Sequence, residues 1–364
     1  MRLSFLKFIQ LYLLLFYINT ISCSVSSITL DVIRPADIDV PNHIQNVMIV
    51  NRSLPSKSNY AENVIDGILS GEGMGDDKKA SSMCVLGLQN MLKNSLMQES
   101  RFDIVSADGF IHGDFLKGTG TNEFPNPIKW KKINKISKNY DVDGLIVLET
   151  FDSNSSIING GLVSSYKRIN KKKIKVQLVK AVLEIQVQAG WRIYDVKNQK
   201  IIDEKIFNDY KSFSSQGVDF NQAKNKLPNK RSAISETGLF AGEQYAFRIS
   251  PKNDRVTRKF YKKANKKSKQ ANEDFKKAFY FIKQDKIQES ALIWSNYVNH
   301  KDHKIAGRAC FNMALASELK NKYILAIDWI KKSILYETKN SVDYYSVLKN
   351  RQVEIKKVTE QLKK

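Results

Sequence analysis

Residues 174–207, IKVQLVKAVLEIQVQAGWRIYDVKNQKIIDEKIF, decide the fold. Leu183, Ile185, Val187 and Ala189 alternate with Glu184, Gln186 and Gln188. A strand with one buried and one wet face shows this period of two. The alternation runs on through Trp191 and Ile193 and stops at the polar cluster Asp195-Val-Lys-Asn198. Ile201, Ile202 and Ile206 then restart an apolar strand, so the two runs predict an antiparallel hairpin. The stretch identifies a sheet domain and carries no chemistry of its own.

Working back from it, Ile28 to Val40 contains alternating apolar residues and ends at Pro41, and Arg34 to Pro41 reads as an extended edge segment. Val47-Met-Ile-Val50 is a short apolar run, the mark of a strand covered on both faces. A helix carrying Cys84, Val85, Leu88, Met91, Leu92 and Leu96 follows, with Asp76 or Asp77 as its cap. Phe102-Asp-Ile-Val105 reads as a strand, residues 133–137 as a helix, and 141–148 as a further strand. This order predicts an α/β (α+β) domain with a mixed sheet and a long antiparallel hairpin. Lys211 to Arg231 reads as a polar linker, and 235–249 as a helix whose Gly238, Ala241, Gly242 and Ala246 permit close packing. Pro251 ends that helix.

The C-terminal third is expected to be all-α. Arg255 to Lys269 reads as a cationic helix that enters two helical hairpins, about 271–336. Ala278, Phe281, Ile287, Ser290, Trp294 and Tyr297 take the packing positions of a tetratricopeptide-like repeat. Ala314, Ser317, Tyr323, Ala326, Ile330 and Ser333 take them again, with Ala278 and Ala314 36 residues apart. Leu348, Ile355 and Leu362 suit a capping helix. The organisation is therefore a signal peptide (1–22), an α/β domain (23–250) and a helical region (251–364).

At the N-terminus, Arg2 and Lys7 precede an apolar run to Ile18, the form of a signal peptide. Thr20-Ile21-Ser22-Cys23 resembles a bacterial lipobox, which makes Cys23 the lipidated first residue. Thr20 stands where a lipobox has Leu; cleavage near Ser22 with an incidental Cys23, or a retained anchor, are the competing readings. The expectation is a lipid anchor at the outer membrane, facing the periplasm.

The chain has 59 Lys and Arg against 37 Asp and Glu, a net charge of +22. The lysines are scattered, which argues for compositional bias and against a nucleic-acid groove. Two basic clusters are candidate anion sites for lipid phosphates or a polysaccharide. One is Lys167, Arg168, Lys171, Lys172 and Lys173; the other includes Arg255, Arg258 and Lys262. The alternative for each is a solvated charged surface. Phe281, Trp294, Tyr297 and Tyr323 are candidate contacts for a protein partner.

Three cysteines are too few for a disulfide framework, and Cys84 and Cys310 read as core residues. Gly67 to Gly75 lacks the spacing of a phosphate-binding loop. His300 and His303 flank Asp302, but neighbouring Lys301 and Lys304 argue against a metal. His112 has no serine elbow near it. No catalytic residue, metal or cofactor is assigned.

Three motifs, 190–195 (GWRIYD), 241–251 (AGEQYAFRISP) and 256–261 (VTRKFY), resemble an uncharacterised Bacteroidetes lipoprotein family. Gly71-Glu-Gly-Met-Gly75 fits as well. The resemblance implies a domain of unknown function joined to a tetratricopeptide-like tail, with no known activity.

Overall fold

The computed structural model describes residues 25–53, 76–93, 100–105, 123–169 and 171–363. Cys23, the glycine cluster and His112 lie outside them. Along the chain come β1 (Val25–Arg34), β2 (Asn46–Asn51), α1 (Asp76–Lys93), β3 (Asp103–Val105), α2 (Trp130–Tyr140) and β4 (Gly144–Ile169). Next are β5 (Lys172–Asp195), β6 (Lys200–Gly217), α3 (Phe220–Asn225), α4 (Lys230–Ile249) and β7 (Lys252–Tyr261). The helices α5 (Lys269–Lys283), α6 (Ile287–Ser295), α7 (His303–Leu319), α8 (Tyr323–Leu335) and α9 (Ser341–Gln361) follow. A mixed-sheet domain thus precedes a helical region, as the alternation and the helical spacing require. The chain divides into two compact units. One is Pro35–Lys252 with Thr359–Lys364; the other joins the chain up to Arg34 with Asn253–Val358.

In the sheet unit the strand order is β3-β2-β4-β5-β6. β2 runs parallel to β3 and β4, while β4–β5 and β5–β6 are antiparallel. Odd residues of β5 (Leu183, Ile185, Val187, Ala189, Trp191) enter a core shared with Cys84 and Leu88 of α1 and Tyr245 of α4. Met48, Val50, Leu145, Val147 and Tyr194 face the other side, where Ile133 and Ile136 of α2 cover them. β4 is far longer than the strand expected at 141–148, because its distal half is paired with β5 down to Ile169↔Lys172.

Lys211 to Gly217 is not a linker. Backbone pairing from Ile185↔Lys211 to Val179↔Gly217 carries β6 to Gly217, so serine-rich residues remain strand where a neighbour's backbone takes their hydrogen bonds. The segment from Val25 also departs from expectation. β1 pairs with β7 in a separate two-stranded sheet and contributes no edge to the main one.

In the second unit the expected helix over Arg255–Lys269 is replaced by β7 up to Tyr261 and a turn. The cause is a period of two: Val256, Arg258 and Phe260 turn inward between exposed Arg255, Thr257 and Lys259. The helices then repeat. Asp285 and Asn321 both adopt a left-handed backbone (φ 60° and 56°). Lys286 N–H to Phe281 O and Lys322 N–H to Ser317 O close the two turns at 2.9 Å. Trp294, Ala278, Ala314, Ala326 and Ile330 share one core.

α1 and α4 meet through glycines. A Cβ on Gly242 would lie 1.8 Å from Cys84 O, and one on Gly238 2.5 Å from Ala80 O. Backbone atoms cannot yield as side chains do, so the helices would have to part. Gly242→Ala is expected to destabilise the protein by about 3 kcal/mol, read as a lowered urea midpoint. An unchanged midpoint would contradict the close approach.

Candidate functional site: buried carboxylates and a lysine groove

Five residues of the three sequence motifs, Arg192, Tyr194, Tyr245, Arg248 and Arg258, converge on three buried carboxylates. In the first cluster, Tyr194 Oη donates to Glu149 at 2.7 Å, and Arg192 and Arg52 lie 3.3 and 2.7 Å from the same carboxylate. In the second, Arg248 spans Asp203 with two bonds of 2.9 and 2.8 Å, and Tyr245 Oη adds a third at 3.0 Å. In the third, Arg258 Nη2 and Nε bond Glu318 at 2.9 and 3.0 Å, and Tyr344 Oη donates at 2.6 Å. Burial, followed by the adjacent carboxylate, pushes the hydroxyls of Tyr194, Tyr245 and Tyr344 above the usual phenol range. All three therefore stay protonated as donors. Each acid is enclosed by charge-assisted bonds, which pin segments distant in sequence and leave it poorly placed to accept a substrate proton.

An open groove of about 450 Å³ lies in the helical unit. Lys262 and Lys263 approach from the turn after β7, while Lys269, Glu273 and Lys276 lie along one face of α5. Phe279 and Tyr280 supply its apolar wall. Asn272 holds the turn in place: its Oδ1 accepts the N–H groups of Ala264 and Asn265 at 2.9 and 3.2 Å. Ser268 caps α5 through the N–H of Ala271. Four ammonium groups and one carboxylate beside an aromatic wall suit an anionic ligand with apolar parts.

Residues 44–261 match a family model described as a domain of unknown function (DUF8603), which covers more than half of the chain. The chain belongs to this family. Residues 276–357 match a second model, a domain of unknown function (DUF6340). None of the curated proteins matches. The DUF8603 match contains all three motifs, so what they encode in this chain is the carboxylate clusters and the packing around them. Trp191 of the first motif stacks on Tyr245 of the second at 4.7 Å and 4°.

The anion-site candidates of this DUF8603 member are divided by the structure. Arg258 is withdrawn, because its side chain is only 11% exposed and committed to Glu318. Arg255 pairs with Asp31 on the surface, whereas Lys262 lines the groove. Lys167, Arg168, Lys171, Lys172 and Lys173 are exposed at the tip of the β4–β5 hairpin. The protein-contact candidates are divided too. Trp294 is withdrawn, since it is fully buried against Phe260 where no partner can reach it. Tyr297 donates to Asp274, Tyr323 Oη lies 3.2 Å from Asn321, and Phe281 is half-buried between Lys277 and Lys286. Asp302 caps α7 through the N–H groups of Lys304 and Ile305. Among the described residues no group of three or more His, Cys, Asp and Glu side chains could hold a metal. Cys84 and Cys310 are buried free thiols, and burial pushes Cys310 up to about 11.

Sequence reasoning missed Lys276 and the aromatic pair. The available signal was the spacing of Lys269, Asn272, Glu273, Lys276 and Tyr280 on one helical face. For the buried clusters, Glu318→Ala should cost roughly 3–5 kcal/mol by stranding Arg258, and Arg258→Met with Glu318→Leu should recover most of it. Chemical denaturation of both variants measures this. A single variant as stable as the parent would show that the cluster holds nothing together.

Proposed function

We propose that this protein is a non-enzymatic, membrane-anchored lipoprotein of the bacterial envelope. In this reading lipid on Cys23 holds it at the outer membrane, facing the periplasm, and the helical region binds an acidic segment of a protein partner. The lysine groove carries the reading. Its cations would receive carboxylates while Phe279 and Tyr280 cover an apolar side chain. The turns repeating at Asp285 and Asn321 support kinship with tetratricopeptide-like hairpins, which commonly present such surfaces. The enclosure of Glu149, Asp203 and Glu318 supports a scaffold over a catalyst. Among the described residues no helix is long and apolar enough to cross a membrane.

Two experiments test this. Cys23→Ala should abolish labelling by an alkyne fatty acid and let a high-salt wash release the protein from the membrane; recovery that resists the wash as the parent's does would end the anchor assignment. A photo-crosslinking amino acid at Tyr280 should trap a discrete protein adduct in envelope membranes. Lys262→Glu, Lys269→Glu and Lys276→Glu together should weaken that adduct roughly tenfold at physiological salt. An adduct indifferent to charge reversal would rule the groove out as the docking site.

A further inference from the structure

Among the described residues, no third strand pairs with the far end of the β4–β5 hairpin. β6 ends its pairing at Val179↔Gly217, whereas β4 and β5 continue to Ile169↔Lys172. Residues 162–169 and 172–179 therefore form a two-stranded ribbon. A register shift between Asn159 and Leu162 marks its base. Gly161 adopts φ 76° there, with its N–H held by Asn159 Oδ1 at 2.9 Å. The break is thus built into the chain, and a ribbon with so little backing is marginally stable in water.

Its charge is one-sided. From Ser153 through Leu183 the sequence contains seven Lys and Arg and no Asp or Glu. Six of the seven, Lys167 through Lys175, are exposed at the tip. An edge guarded only against aggregation needs lysines, but it gains nothing from exposed apolar residues among them. Yet Leu162 and Tyr166 are 73% and 60% exposed, and Ile158 and Ile174 are 44% each.

Cross-strand register sorts these residues by face. Val163 lies opposite Leu178, Ser165 opposite Val176, and Lys167 opposite Ile174. One face is therefore an aliphatic stripe ending in lysine, continued at the base by Ile158 opposite Val182. The other face carries Leu162 and Tyr166, with the Lys173 ammonium 4.5 Å from the Tyr166 ring. Aliphatic side chains, a tyrosine and a ring of cations match the layers of an anionic bilayer surface. The aliphatic groups suit the acyl boundary, the tyrosine the headgroup level and the long basic side chains the phosphates. A soluble polyanion would satisfy the cations alone and leave the stripe in water.

We propose that this ribbon is a membrane-contacting arm, which lays its aliphatic face into the interface of a bilayer containing anionic phospholipid. The test is flotation of the full chain carrying Cys23→Ala, so that acylation plays no part, with vesicles of phosphatidylcholine alone or mixed with phosphatidylglycerol. Binding is expected only to the mixed vesicles. Lys172→Glu with Lys173→Glu should lower it at least about 20-fold, since each lysine near an anionic surface contributes roughly fivefold. Ile174→Ser with Val176→Ser should lower it at least about tenfold, with melting temperatures unchanged. Ile174→Trp, on the aliphatic face, should be quenched by brominated acyl chains. Equal binding to neutral vesicles would overturn the proposal. So would binding indifferent to Ile174 and Val176, accompanied by tight capture of soluble dextran sulfate. Charge reversal at Lys262 and Lys276 should change vesicle binding less than twofold, so the arm and the groove fail or stand separately.

Discussion

The sheet unit depends on the register of β4 against β5. That pairing runs from Gly144↔Asp195 to Ile169↔Lys172 and is interrupted after Leu148, where the partner steps from Trp191 to Gly190 while β4 advances by two. Glu149 is the residue left over. A bulge at this point sends its carboxylate to the side of the sheet where Arg192 and Tyr194 also project. Without the extra residue, Phe151 and Ser153 would leave the face covered by α1 and α4, since a slip of one residue exchanges the two faces of a strand. The bulge therefore keeps the apolar pattern in phase and supplies the acid that the basic residues of β5 require.

The same economy appears twice more. Asp203 joins β6 to Tyr245 and Arg248 of α4, and Glu318 joins α7 to Arg258 of β7 and Tyr344 of α9. Desolvating a carboxylate is costly unless its lone pairs are met, and an arginine fork plus a phenol meets them with fixed geometry. Such clusters specify which segments lie together more sharply than apolar contact does, because a misplaced neighbour leaves a charge stranded.

What could be read without coordinates follows from the range of the interactions. Alternation in 183–193 is local, so β5 and its hairpin were legible, and the small residues of 238–246 announced a close helix pair. β7 was not legible. Arg258 sits on its inward face, and the partner that makes this tolerable is Glu318, sixty residues on. Nor could serine-rich 211–217 declare itself a strand, since its pairing is with backbone atoms of β5 and owes little to side chains. The groove was half visible: Lys262 and Lys269 lay in the cationic stretch, but only a helix beginning at Lys269 brings Lys276 and Tyr280 beside them.

β1 has a consequence for how the molecule would be carried. Its first residue, Val25, is already in a strand, only two positions after Cys23. Two residues of extended chain reach about 7 Å. Many surface proteins are moored through a long flexible leash that lets them sweep a wide shell of solvent. Acylation of Cys23 would leave this one with almost no slack. Whatever it engages would have to come to the headgroups, and its own tumbling would be restricted to rocking about a nearly fixed point.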